Sequence, residues 1–249
     1  MTSQDTFISH LIELRQRLVR AIFAVLAVCL CLLPWSREIY GLLAQPLLAS
    51  LPKGGQMIAT DVVGPFLVPL KVTLLVGFVA VLPYVLFEAW AFVAPGLYAH
   101  EKRLVLPLVV ASFVLFLAGM SFAYFLVFPV VFKFMASIAP EGVAWMTDID
   151  KYFSFVLTTF IAFGVTFEVP VVVILLVRTG MVSIEKLKQA RPYVIVGAFV
   201  VGAVFTPPDV LSQVMLAVPL WFLYEVGIVL SRFVSQPAQS TDDTASTEA

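Results

Sequence analysis

Charge is what this chain has least of. Only 12% of its 249 residues are Asp, Glu, Lys or Arg, about half the share found in soluble domains, and this excludes a surface built to face water on every side. The net charge of -1 excludes the clustered basic footprint that a nucleic-acid partner leaves. Cys29 and Cys31 are the only cysteines and sit in one apolar run with no histidine beside them, so they read as small core hydrophobes rather than a metal or redox pair. Histidine is as scarce. His10 and His100 both fall near the inner interface, which leaves a metal site or a histidine base without material. The phosphate-loop pattern G-x-x-x-x-G-K-[ST], H-E-x-x-H and G-x-S-x-G do not occur, and no nucleophile and base stand at helical spacing, so an intramembrane enzyme is set aside and no cofactor is expected. No repeat relates the two halves as in many secondary transporters.

What is abundant is apolar length. The chain is 61% hydrophobic, with a mean hydropathy of +1.02, and six apolar runs, at about 18–36, 65–92, 104–132, 152–177, 193–206 and 210–231, stand against the roughly 20 residues a crossing needs. The reading is an all-α polytopic membrane protein with one domain over residues 1–234. The polar stretch 235–249, SQPAQSTDDTASTEA, has the composition of a disordered tail. The first residues are too polar to resemble a cleaved signal peptide, so the first helix is expected to stay. Six spans put both termini on one side. Ten of the 15 Lys and Arg residues lie in the terminal flanks, the turn near 100 and the loop 178–191, against five (Arg37, Lys53, Lys71, Lys133, Lys151) in the opposite loops, which predicts that both termini are cytoplasmic.

The stretch 90–103, WAFVAPGLYAHEKR, is the most suggestive. An apolar helix ends at Trp90 and Phe92, the backbone is broken at Pro95 and Gly96, and the turn carries one carboxylate, Glu101. A carboxylate at a membrane surface beside aromatic rings suits a short cationic segment. Residues 7–20 predict an amphipathic helix lying in the interface. On it Glu13 serves either an i,i+4 pair with Arg17 or a binding role, and Arg15 falls on the apolar stripe, where it snorkels or finds a partner. The loop 37–65 predicts a short helix across the outer mouth. Pro83 is expected to kink the second span, and Glu88 near its inner end reads as merely interfacial.

The uncharged run 104–132 would be about 43 Å of helix, so it must tilt or bend, and the small residues Ala118, Gly119, Ser121 and Ala123 allow close packing. Asp148 and Asp150 read as solvated outer surface. Glu168 lies ten residues before Arg178, about 15 Å deep, where an acid is costly and functional by default. The last two spans are short. Between them Asp209 reads as a helix cap, while Thr206 and Gln213 are polar groups at the edge of the short hairpin, placed to hydrogen-bond a neighbouring helix. A proton-coupled small-solute transporter built on Glu168 is the alternative reading of these features.

Six ordered motifs carry a resemblance: HLIELRQRL at 10–18, MIATDV at 57–62, WAFVAPGLYAHEKR at 90–103, FAYFLVFP at 122–129, FGVTFEVP at 163–170 and RPYVIVGAFVVGAVFTPPDVLSQ at 191–213. Together they resemble TatC, the polytopic subunit of the bacterial twin-arginine protein translocase, over residues 7–233. The resemblance implies a cup-shaped six-helix receptor in the bacterial inner membrane. It would bind twin-arginine signal peptides of folded proteins, assemble with the single-span TatA and TatB proteins in an oligomeric complex, and be driven by the proton-motive force. It places Glu13, Arg15, Phe92, Glu101 and Arg103 in the signal-peptide site, and Pro46, Glu168 and Asp209 at functional positions in the outer loop, the membrane and the TPPD turn. Thr206 and Gln213 fall in the contact region for partner helices. Paired guanidinium groups call for carboxylates that accept several N–H bonds, which two acids at one interface supply.

Overall fold

The computed structural model describes residues 3–48, 57–93, 105–138, 146–205 and 209–234, with the side chains of 3–8, 10, 46, 47, 93, 105 and 234 left out. Helix α1 (Ser3–Leu32) runs unbroken from the polar N-terminal turns into the first span. The amphipathic segment expected at 7–20 is helical and feeds the first span without a break, since no Gly or Pro interrupts residues 3–32 to stop helical propagation. Pro34 does stop it, in a 3₁₀ turn over Leu33–Trp35, and α2 (Ser36–Leu48) follows as a short helix within the expected loop 37–65.

Strand β1 (Met57–Ile58) precedes α3 (Gly64–Val93), which continues through Pro69 and Pro83. The third span is α4 (Val105–Phe122), a π-helical turn at Ala123–Val127, and α5 (Phe128–Ile138). Strand β2 (Thr147–Asp148) pairs with β1 in parallel, Met57 opposite Thr147 and Ile58 opposite Asp148, a two-strand clasp that the helical periodicity did not announce. The fourth span is α6 (Ile149–Phe167) followed by α7 (Val169–Arg178). The hairpin α8 (Ile184–Phe205) and α9 (Val210–Val234) completes the chain.

Among the described residues six stretches are long and apolar enough to cross a membrane, and the last two, at 22 and 24 residues, are the shortest. Helix α8 extends well beyond the apolar run that marks it, because it begins with the polar turns 184–191. Helix α1 packs on α3, α3 on α2 and α4, α4 on α6, and α9 on both α7 and α8. The main buried cluster joins the π turn, α5 and α6: Phe128, Phe153, Val156 and Phe163 are fully buried, and the Phe128 ring meets Phe160 edge-on at 5.2 Å. Helices α4 and α6 meet where they carry no side chain. A Cβ on Gly119 would stand 2.5 Å from the Phe163 carbonyl oxygen, and one on Gly164 would enter the Phe116 ring, as the small-residue patch predicts. Cys29 is buried but Cys31 is exposed, so only the first is a core hydrophobe. They are two residues apart on a helix and face different ways.

The reading of Asp148 and Asp150 as ordinary solvated surface is corrected. Asp148 caps α6 by accepting from the Asp150 and Lys151 amides, at 2.8 and 3.1 Å, and it ties α6 to the β1 loop by accepting from the Thr60 amide at 3.0 Å and from the Thr60 hydroxyl. Asp150 accepts from Lys71 Nζ at 2.7 Å. Both acids join elements far apart in the sequence, and spacing along one helix cannot show that. The Thr60 hydroxyl, then the Lys151, Thr60 and Asp150 amides, push the Asp148 carboxyl down to about 2, since hydrogen bonds to the charged form favour it.

Candidate functional site: an acidic cluster between the first two spans

On α1, Glu13 and Arg17 are one turn apart and face the same way. Arg17 donates from Nε (2.9 Å) and Nη2 (2.7 Å) to one oxygen, Oε1 of Glu13. Its third contact leaves the helix. Nη1 donates at 2.9 Å to Oε2 of Glu88 on α3, and the Tyr84 hydroxyl, one turn back on α3, donates at 2.9 Å to Oε1 of the same carboxylate. Glu88 is thus held at both oxygens, with its side chain only 8% exposed, whereas Glu13 retains 37%. The expectation that Glu88 is merely interfacial is overturned, because α1 lies across it and supplies the cation. Sequence spacing gives the Glu13–Arg17 pair. The Arg17–Glu88 pair, 71 residues apart in the chain, had one signal only: an acid near the end of an apolar span, which needs a partner if it is buried.

Around this cluster, Phe92 is half-buried one turn beyond Glu88 near the end of α3, and Arg15 is exposed on α1. Trp90 Nε1 donates to Ser112 Oγ at 3.1 Å, fastening the end of α3 to α4. Glu101 and Arg103 lie outside the described residues, as does Thr206. Pro46 stands in the last turn of α2, its side chain also outside them. The structure therefore brings Glu13 together with Arg17 and Glu88, with Phe92 one turn further along α3.

The remaining positions lie elsewhere. Glu168 is the hinge residue between α6 and α7. Its amide donates to the Val165 carbonyl at 3.1 Å, and its own carbonyl accepts from Val171 and Val172 at 3.0 and 3.1 Å. Pro170 has no N–H to continue the ladder, so the helix restarts here. The Glu168 carboxyl oxygens are buried, with the Ser112 hydroxyl as the neighbouring polar group. Asp209 caps α9 by accepting from the Ser212 amide at 2.7 Å. Gln213 donates from Nε2 to the Phe199 carbonyl at 2.8 Å, so its described amide bond lies inside the α8–α9 hairpin. Glu225 accepts from Arg191 Nη2 at 2.7 Å, locking that hairpin toward its other end. Among the described residues no three His, Cys, Asp or Glu side chains gather as a metal site.

An all-helical, six-span membrane protein, whose polar groups are spent on inter-helix ion pairs and one carboxylate cluster that holds a guanidinium, is the class this geometry defines. A family profile described as Sec-independent protein translocase protein (TatC) matches residues 9–219. The Escherichia coli K12 protein named Sec-independent protein translocase protein TatC is 53% identical over 94% of this chain and 91% of its own length. The Azotobacter chroococcum protein of the same name is 53% identical over 94% and 92%. A crystal structure titled Twin Arginine Translocase Receptor- TatC superposes with a TM-score of 0.80 at 38% identity, covering 91% of this chain and all of that one. The chain belongs to the TatC family. It is a multi-pass component of a Sec-independent protein translocase, and not an enzyme.

Proposed function

We propose that this chain is the receptor subunit of a twin-arginine translocation system, taking the paired-arginine signal peptides of folded proteins on Glu13 and Glu101, with Arg15, Phe92 and Arg103 around them. One observation carries this reading: Glu13, on a partly open face, already holds a guanidinium through two N–H bonds on one oxygen, so its environment suits an incoming arginine. A similar structure carries the word receptor in its title. In this reading both termini face the cytoplasm across a bacterial inner membrane, as the excess of Lys and Arg on that side supports. Single-span TatA and TatB proteins pack at the α8–α9 hairpin around Thr206 and Gln213, where the spans are shortest, with the proton-motive force as the energy source. Pro46, Glu168 and Asp209 act as positions on which transport depends.

Charge-assisted hydrogen bonds contribute about 1.5 to 3 kcal/mol each, so Glu13→Ala or Glu101→Ala weakens binding of a twin-arginine peptide by roughly tenfold to a hundredfold. Photocrosslinking of such a peptide to the protein, together with export of a folded reporter, measures it. Binding unchanged in both variants removes the proposed site.

A further inference from the structure

The cluster on which the proposed site is built contains a carboxylate too many for its own cation. Glu13 and Glu88 share one guanidinium, so the trio carries a formal excess of one negative charge. Every described bond to Glu13 falls on Oε1, while both oxygens of Glu88 are taken, by Arg17 and Tyr84. The two acids are unequal in access as well, Glu88 being enclosed and Glu13 partly open. Arg15 and Arg20 are exposed on the same helix and add positive potential nearby.

A guanidinium has five N–H donors. Three of those of Arg17 are committed, two toward Glu13 and one toward Glu88. Without the pull from α3, the side chain is free to turn wholly onto Glu13 and meet both its oxygens in the two-pronged pairing that arginine favours. It would then occupy the place an arriving arginine needs.

We propose that Glu88 is a positioning residue of the peptide site: it tethers Arg17 across the gap between α1 and α3, keeping Oε2 of Glu13 open and leaving the cluster one positive charge short, so that an arriving guanidinium completes it. Tyr84 fixes the tether by holding the second oxygen of Glu88. Arg17 is then an internal competitor held in check. This deepens the receptor reading and rests on it.

The test uses the full chain in lipid nanodiscs and a synthetic peptide with two adjacent arginines followed by an apolar stretch. Binding is measured for the parent, Glu13→Gln, Glu88→Gln, Arg17→Gln and the double variant Arg17→Gln with Glu88→Gln. Glu88→Gln is expected to weaken binding by about tenfold, and the double variant, in which the competitor is gone and Glu13 is free, to recover most of that loss. Recovery separates competition from a merely structural bridge, which the second substitution would not repair. Should Glu88→Gln fail to fold, Glu88→Asp replaces it in both the single and the double variant: it keeps the charge, draws it back by one methylene, and is expected to show a smaller loss with the same recovery. Loss in Glu13→Gln with no change in Glu88→Gln overturns the proposal and leaves the receptor reading in place. A double variant as weak as Glu88→Gln also overturns it. No change in Glu13→Gln overturns the receptor reading itself.

Discussion

At the scale of single residues, the ion pairs do two different jobs. Arg17 compensates an enclosed acid, and removing one partner of a buried pair costs about 3 to 5 kcal/mol because the other charge is stranded. Arg17 keeps 21% exposure, so solvent screening lowers the expected cost of Arg17→Ala to about 2 to 3 kcal/mol, read from denaturant unfolding in detergent. Arg17→Ala with Glu88→Leu, which removes both charges, is expected to recover part of it. Asp148 works by hydrogen bonds instead. Its folded carboxyl lies at about 2, below the ordinary 3.8. The stabilisation it gives is therefore complete above the ordinary value, and it drains away as pH falls from there through about 2. Amide exchange at Thr60 and Lys151 is expected to accelerate, relative to other protected amides, over that acidic window, and Asp148→Asn to flatten the dependence.

At the scale of elements, contact between α4 and α6 depends on the missing side chain of Gly119. A Cβ there meets a backbone oxygen, not the yielding end of a long side chain, so the two helices must separate. Gly119→Ala is expected to cost about 1 to 3 kcal/mol, in the range of an overpacked core, and to lower the unfolding midpoint of purified protein. The small-residue patch made this contact legible beforehand. The existence of the spans was legible for the same reason, since apolar length is written along the chain. Their ends were less so: α1 reaches back to Ser3 and α8 to Ile184, because polar residues such as Glu, Lys and Gln propagate a helix as readily as apolar ones, and in α8 even Pro192 does not break it. Neither the clasp of β1 with β2 nor the pairing of Lys71 with Asp150 had a local signal, because each joins residues distant in sequence.

At the scale of the whole molecule, the same division separates what motif order could show from what it could not. Six motifs in sequence identify the family, and Glu13 stands out from the pattern of one helix. Glu88 does not, because its meaning comes from α1 crossing α3. The alternative built on Glu168 gains little from the architecture. A groove of about 540 Å³ between α1, α3 and α6 is lined by Leu18, Leu26, Leu75, Phe78 and Ile161 with Lys71. Glu168 is not part of it.

The widened turn at Ala123–Val127 has a consequence for the half of the bundle that follows it. Such turns accommodate one residue more than a regular helix would, so they act as a phase adjuster between the two ends of the third span. Deleting a single residue there is expected to restore ordinary winding and swing everything beyond it by about 100°, turning Phe128, Val131 and Phe132 out of the aromatic core. Insertion of one alanine elsewhere within the same turn, placed together with that deletion, is expected to bring them back in without disturbing Gly119, and the return of folded, protease-resistant protein would report it. The spiral register of one helix thus decides which of its faces the rest of the bundle meets.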